Sequence, residues 1–137
     1  MANWTASDIP PQNGRSAVIT GTGGLGYEDA LALARAGAEV IIAGRNAAKG
    51  AEAVESVRAK VPAASVQFEQ VDLAELNSVA AFCERLRGQR DSLDLLINNA
   101  GVMNPPERRE TSDGFELQFG TNYLGHFALT AGLLPLL

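Results

Sequence analysis

Four of the six residues from Gly21 to Gly26 are glycine, and the apolar run Ser16-Ala17-Val18-Ile19-Thr20 leads directly into them. Glycine gives up side-chain packing and raises the entropy cost of folding, so a loop this bare needs a reason. The run before it is short, partly β-branched and stopped by glycine, which suits a buried strand. After it, Leu25, Ala30, Leu33, Ala34 and Gly37 recur at helical spacing. They leave a narrow small-residue face suited to close packing on a sheet. The sequence therefore reads strand, glycine turn, helix.

The same alternation continues. A second buried strand is expected at 39–44 and an alanine- and charge-rich helix at 46–61, with Pro62 just beyond it. A third strand follows at 65–73. A third helix spans 75–88, with Leu76, Val79, Ala80, Cys83 and Leu86 on one face. A fourth strand covers 93–98, and the segment from Thr111 onward reads as one or two helices. Strands separated by helix-length crossovers give an α/β fold of the Rossmann type, a doubly wound parallel sheet with right-handed crossovers. The expected strand order is 3-2-1-4, an incomplete version of that sheet. Residues 1–14 carry Pro10, Pro11 and Gly14 and read as an extended leader that Trp4 anchors on the surface of a domain spanning 15–137.

At 137 residues and 46% hydrophobic, the chain can bury one modest core. A net charge of −5 gives it no basic footprint for nucleic acid. No apolar run is long enough to span a bilayer, and no secretory signal pattern opens the chain. Cys83, the single cysteine, excludes an internal disulfide and reads as a small buried side chain. Together these suggest a cytoplasmic protein. No metal site is assigned.

Between a strand and a helix, Gly21-Thr22-Gly23-Gly24-Leu25-Gly26 matches G-x-G-x-x-G, the turn that brings bare backbone and a helix N-terminus to a dinucleotide pyrophosphate. In such a fold the tip of the second strand lies beside the adenosine ribose. A carboxylate there accepts from the 2′-hydroxyl, whereas an arginine favours a 2′-phosphate. The tip reads Ala43-Gly44-Arg45-Asn46, with Glu39 at the far end of the strand. Arg45, with Asn46 beside it, is the candidate clamp for a 2′-phosphate, so NADP(H) is favoured over NAD(H).

The segments TGTGGLGYE at 20–28, VDL at 71–73, NNAG at 98–101 and TNYLGHF at 121–127 resemble the short-chain dehydrogenase/reductase family in order and spacing. NNAGVMNPP and DGFELQFGTNYLGHFALT are most similar to its retinol-dehydrogenase-like and protochlorophyllide-reductase-like members. The resemblance implies that Asp72 bonds the adenine amino group, with the Leu73 backbone beside it. It implies that Asn99, Ala100 and Gly101 line the ribose and pyrophosphate. Asn122 matches the asparagine whose helix kink places a backbone carbonyl in a proton relay. Asp72 also suits a helix N-cap, and Asn98 and Asn99 suit a turn. His126, the sole histidine, reads as a helix-face residue rather than a base. The family's TG-x-x-x-G-x-G loop is here one residue shorter.

The family's proton transfer uses a tyrosine with a lysine four residues later, whose charge lowers the phenol pKa. Here Tyr27 is followed at that spacing by Leu31, and Tyr123 by Phe127. Both tyrosines are expected to pack on the sheet or the cofactor loop. The chain thus reads as the coenzyme-binding N-terminal part of a longer oxidoreductase, inactive by itself, acting on a carbonyl or alcohol. Its last helix is expected to pack against a second copy or the remaining portion. A non-catalytic NADP(H)-binding module is the alternative, and a nucleotide-sugar epimerase or dehydratase a third reading.

Overall fold

The computed structural model describes residues 3–137. Four strands, β1 (Ser16–Thr20), β2 (Glu39–Gly44), β3 (Val66–Gln70) and β4 (Leu95–Ile97), form one parallel sheet in the order β3-β2-β1-β4. The helices are α1 (Gly24–Arg35), α2 (Ala47–Lys60), α3 (Leu76–Gln89) and α4 (His126–Leu133). Alternate strand residues point to opposite faces. Ile19, Val40 and Ile42 meet Ala30, Leu31 and Ala34 of α1 and Ala53, Val54 and Val57 of α2. Val18, Ile41 and Ala43 meet Val79, Phe82 and Cys83 of α3 and Leu129 and Leu133 of α4. Both faces of the central strands are covered, so β1 is buried at every position. The α/β fold and its strand order are those expected from the sequence.

The elements differ from expectation mainly at their ends and faces. β3 stops at Gln70 rather than 73, because its partner β2 ends at Gly44, the residue opposite it. β4 is likewise trimmed to Leu95–Ile97, with Asn99 N–H turning back to the Ile97 carbonyl at 3.1 Å. On α3 the buried stripe holds Phe82 in place of Ala80, which is exposed. On α1 Leu31 is buried while Leu25 is 76% exposed. Residues Ala6–Asp8 make a 3-10 turn inside the segment read as extended, and Trp4 is 71% exposed rather than anchored. No described helix is long and apolar enough to cross a membrane.

The last segment is one helical column of three geometries. A π-helical stretch, Phe119–Gly125, runs into α4 and ends in a 3-10 turn, Leu134–Leu136. Before it, Glu116 accepts backbone N–H bonds from Gln118 and Phe119, each at 2.8 Å. These bonds hold its carboxyl below the usual glutamate range. Asp113 caps a different helix: its Oδ2 accepts from Leu76 N–H at 2.9 Å, a donor that the N-cap Glu75 leaves unsatisfied. Gly125 lies against the Leu73 carbonyl, at the junction of the column with the end of the β3–α3 connection.

Two measurements test this packing. Gly125→Ala drives a Cβ into backbone at Leu73 and is expected to cost about 2 kcal/mol in urea unfolding. Glu116→Gln is expected to destabilise most above the ordinary glutamate pKa of about 4.3. A lowered folded pKa contributes stability that is present above the unfolded value and is lost as pH falls through the folded one. The gap between wild type and variant therefore closes in acid.

Candidate functional site

At the carboxyl ends of β1, β2 and β4 the chain leaves an open cleft of about 470 Å³. The strand order reverses between β1 and β4, so the cleft lies at the topological switch point, where open α/β sheets bind ligands. Gly21, Thr22 and Gly23 line it, as do Arg45, Asn46, Asp72, Leu73, Asn99, Ala100 and Gly101. Gly24, Leu25, Gly26 and Asn122, grouped with them in the sequence reading, do not line its wall.

The glycine turn is built for close approach of something else. Gly21 has φ +104° and a Cβ there meets Asn99 Nδ2 at 2.8 Å, so the side of the turn facing the sheet is full. A Cβ at Gly23 or Gly24 meets nothing within 4 Å, so the outward side is bare backbone facing open space. Gly24 begins α1 at φ +55°, a left-handed conformation that a side chain disfavours. The first amide of this helix to find a carbonyl within the chain is Tyr27 N–H, on Gly23 O at 3.4 Å. Gly21 N–H is taken by the Ala43 carbonyl at 2.8 Å, but the amides of Thr22, Gly23, Gly24, Leu25 and Gly26 find no acceptor among the described residues, which with the helix dipole suits an anion. This donor set fits the pyrophosphate of a dinucleotide.

The turn is tied to β4 through one hydroxyl. Thr20, fully buried at the tip of β1, receives Asn99 N–H and Ala100 N–H on Oγ1, each at 2.9 Å. It also faces His126 Nε2 at 2.8 Å, while His126 Nδ1 lies 2.9 Å from the Asn122 carbonyl. A hydroxyl has two acceptor sites and one proton. Nδ1 faces a carbonyl and so donates to Asn122 O, which leaves Nε2 to accept the Thr20 proton; the Ile97 carbonyl, 3.4 Å from Oγ1, is the more distant acceptor. His126 is thus a buried bracket between β1 and the last helix. Asn99 Nδ2 adds a bond to the Thr20 carbonyl at 2.9 Å, and Asn98 reaches Thr130 at 3.0 Å.

On the far side of the cleft the N-terminus of α2 carries two cations. Asn46 caps this helix, its Oδ1 accepting Lys49 N–H at 3.0 Å, so the side chain read as a ligand group also serves the backbone. Arg45 and Lys49 are exposed and line the same wall. Thr22 Cγ2 would lie 3.1 Å from a Cβ at Gly44, so the glycine turn rests against the tip of β2. Asp72 is no N-cap. Its Oδ1 accepts Ala74 N–H at 2.9 Å in a local turn, and its own N–H bonds Ser78 Oγ at 2.9 Å.

The Asn122 side chain holds a loop. Its Oδ1 accepts Val102 N–H and its Nδ2 donates to Val102 O, both at 2.8 Å. One turn earlier, Gln118 Oε1 accepts Asn104 N–H at 3.1 Å. Residues 102–104 are thereby laid along the helical column beside the cleft. Six lining residues escaped the sequence reading: Ala43, Gly44, Lys49, Val71, Val102 and Thr121. Lys49 alone carried a signal, a second cation one helical turn after Arg45. Neither tyrosine lines the cleft. Tyr123 is 58% exposed and stacks on Phe119 at 5.3 Å instead of packing on the sheet. Tyr27 packs on the α1/α2 side of the core.

Residues 15–137 match the family profile described as short chain dehydrogenase. A polyprenol dehydrogenase of Danio rerio is 48% identical over 128 residues, covering 93% of this chain and 39% of that protein. Retinol dehydrogenase 12 of Mus musculus is 47% identical over 122 residues, covering 88% of this chain and 38% of that protein. The chain thus spans about two fifths of these relatives' length. A crystal structure of an uncharacterized protein from Mycobacterium paratuberculosis superposes with a TM-score of 0.87 at 45% identity, covering 98% of this chain and 47% of that one. A short chain dehydrogenase from Escherichia coli CFT073, complexed with NADPH, gives a TM-score of 0.78 at 28% identity, covering 93% of this chain and 55% of that one.

Thr20→Val keeps the shape of the side chain and removes the proton and acceptor that the two amides and the imidazole share. It is expected to lower stability by about 2–3 kcal/mol, through buried donors left unpaired. Urea unfolding measures the loss, and hydrogen exchange at Asn99 and Ala100 should rise with it.

Proposed function

We propose, since this chain belongs to the short chain dehydrogenase family, that its residues 15–137 are the NADP(H)-binding part of an oxidoreductase acting on a carbonyl or alcohol. The observation that carries this reading is the pairing of two helix N-termini across one cleft. One offers unpartnered amides at the glycine turn, and the other offers Arg45 and Lys49 with no carboxylate at the tip of β2. The first suits the pyrophosphate and the second a phosphate on the adenosine ribose, which NADP carries and NAD lacks. The NADPH held by the Escherichia coli relative accords with this choice.

In this reading Gly21, Thr22, Gly23, Gly24, Leu25 and Gly26 form the turn that lets the pyrophosphate approach. Arg45, Asn46 and Lys49 grip the 2′-phosphate, and Asp72 and Leu73 face the adenine. Asn99, Ala100 and Gly101 line the ribose side, and Asn122 fixes the loop at Val102 above it. The bound coenzyme supplies or accepts a hydride at its nicotinamide. This chain's part is to bind and orient it. Tyr27 and Tyr123 both stand outside the cleft wall, which supports a proton donor contributed from elsewhere in a longer protein. The exposed rings of Phe119, Tyr123 and Phe127 on the last helical column suit a surface covered in that whole protein or by a second copy.

Titration of the chain with NADPH and NADH, followed by calorimetry, tests the assignment. NADPH is expected to bind more tightly. Arg45→Ala should weaken NADPH about tenfold, as loss of a charged contact does, and leave NADH nearly unchanged. Equal affinity of the Arg45→Ala variant and wild type for NADPH overturns the 2′-phosphate reading.

A further inference from the structure

Tyr27 sits in the first turn of α1, outside the cleft wall, and reaches across to α2. Its hydroxyl lies 2.7 Å from Ser56 Oγ, and the Lys60 ammonium stands 5.1 Å from the centre of its ring. The Ser56 hydrogen bond, then Lys60, hold the phenol below the usual tyrosine range. The Lys60 contact is a cation–π one, modest at an exposed site. Three residue types used in proton transfer thus meet outside the cleft wall, between the first two helices.

α2 is supported like a lever. Its Gly50 rests directly on the Phe68 ring of β3, so closely that a Cβ there overlaps the ring. Within five residues N-terminal to this contact stand Arg45, Asn46 and Lys49. On the C-terminal side, Arg58 Nη2 donates to Val66 O at 2.8 Å and holds the helix toward β3. Ser56 and Lys60 hold it toward α1 through Tyr27. Six residues separate Gly50 from Ser56 and four separate it from Asn46, arms of about 9 Å and 6 Å at 1.5 Å per residue. Ala53, Val54 and Val57 hold the middle of the helix in the core, so the tie governs its tilt: a tilt of ~1 Å at Ser56 would move the first residue of the helix by roughly two thirds of that, enough to spoil a charge-assisted bond.

We propose that Tyr27, through Ser56, is a positioning residue for coenzyme selectivity: it sets the distance between the pyrophosphate turn on α1 and the 2′-phosphate clamp on α2. The idea rests on the NADP(H) reading above. The turn stays pinned to the sheet by Gly21 N–H on Ala43 O and by its packing on Asn99, so loss of the tie acts first on the clamp, and on the coenzyme that carries the extra phosphate.

The test is calorimetric titration of wild type, Tyr27→Phe, Ser56→Ala and Ser56→Thr with NADPH and with NADH, beside thermal unfolding of each. Tyr27→Phe and Ser56→Ala are expected to narrow the NADPH-over-NADH preference about three- to fivefold, and Ser56→Thr, which keeps the hydroxyl, to restore it. The double variant should be no worse than either single one, since one bond is lost in all three. An unchanged preference in Tyr27→Phe, or a weakening of both coenzymes in step with a lower melting temperature, overturns the proposal while leaving the coenzyme reading intact. Wild-type chain that binds neither coenzyme overturns that reading, and this proposal with it.

Discussion

The Thr20 hydroxyl is where the sheet, the glycine turn and the last helix are joined. It lies at the end of β1, the strand buried on both faces, and its lone pairs take the amides of Asn99 and Ala100. Its proton reaches His126, which in turn grips the carbonyl of Asn122. Satisfying these groups inside a low-dielectric core is worth more than the same bonds in water, and leaving any one unpaired is costly. Three segments far apart in sequence therefore fix one another. The cleft keeps its shape because its floor is this network, not because its walls are thick.

Above that floor the electrostatics are local. The chain carries a net charge of −5, yet the cleft turns two helix N-termini and two cations toward one space. Charges beyond about 8–10 Å are largely screened at physiological ionic strength, so the balance is set by these cations and by the Asp72 carboxylate on the same wall. Glu39, at the opposite end of β2 from the clamp, is occupied by Arg90 Nη2 at 2.6 Å. The tip of β2 is left to Arg45, with Lys49 on the helix that follows it.

Much of this was legible in the sequence because strand, turn and helix leave different periods. SAVIT followed by the glycines announces β1 and its turn, and the alternation that follows announces the strand order. What escaped has two physical sources. Lys49 looks like any cation on a solvated helix, and only the cleft shows that it faces Arg45's side of the site. The His126 bracket and the Asp113 cap join residues 106 and 37 positions apart, and no periodicity encodes such pairs. The π-helical register of Phe119–Gly125 was hidden too, since over two turns its apolar spacing reads as ordinary helix.

The glycine turn ties these points together. Gly24 opens α1 at φ +55° and turns the chain into the helix. Only glycine takes that conformation without strain. Tyr27 N–H closes the first turn of the helix on the N-cap carbonyl, Gly23 O, at 3.4 Å. Its ring is then directed at α2, where Ser56 receives the hydroxyl. The turn and the second helix are in this way joined through one side chain, Tyr27, which lies one helical turn from Gly23 and reaches Ser56.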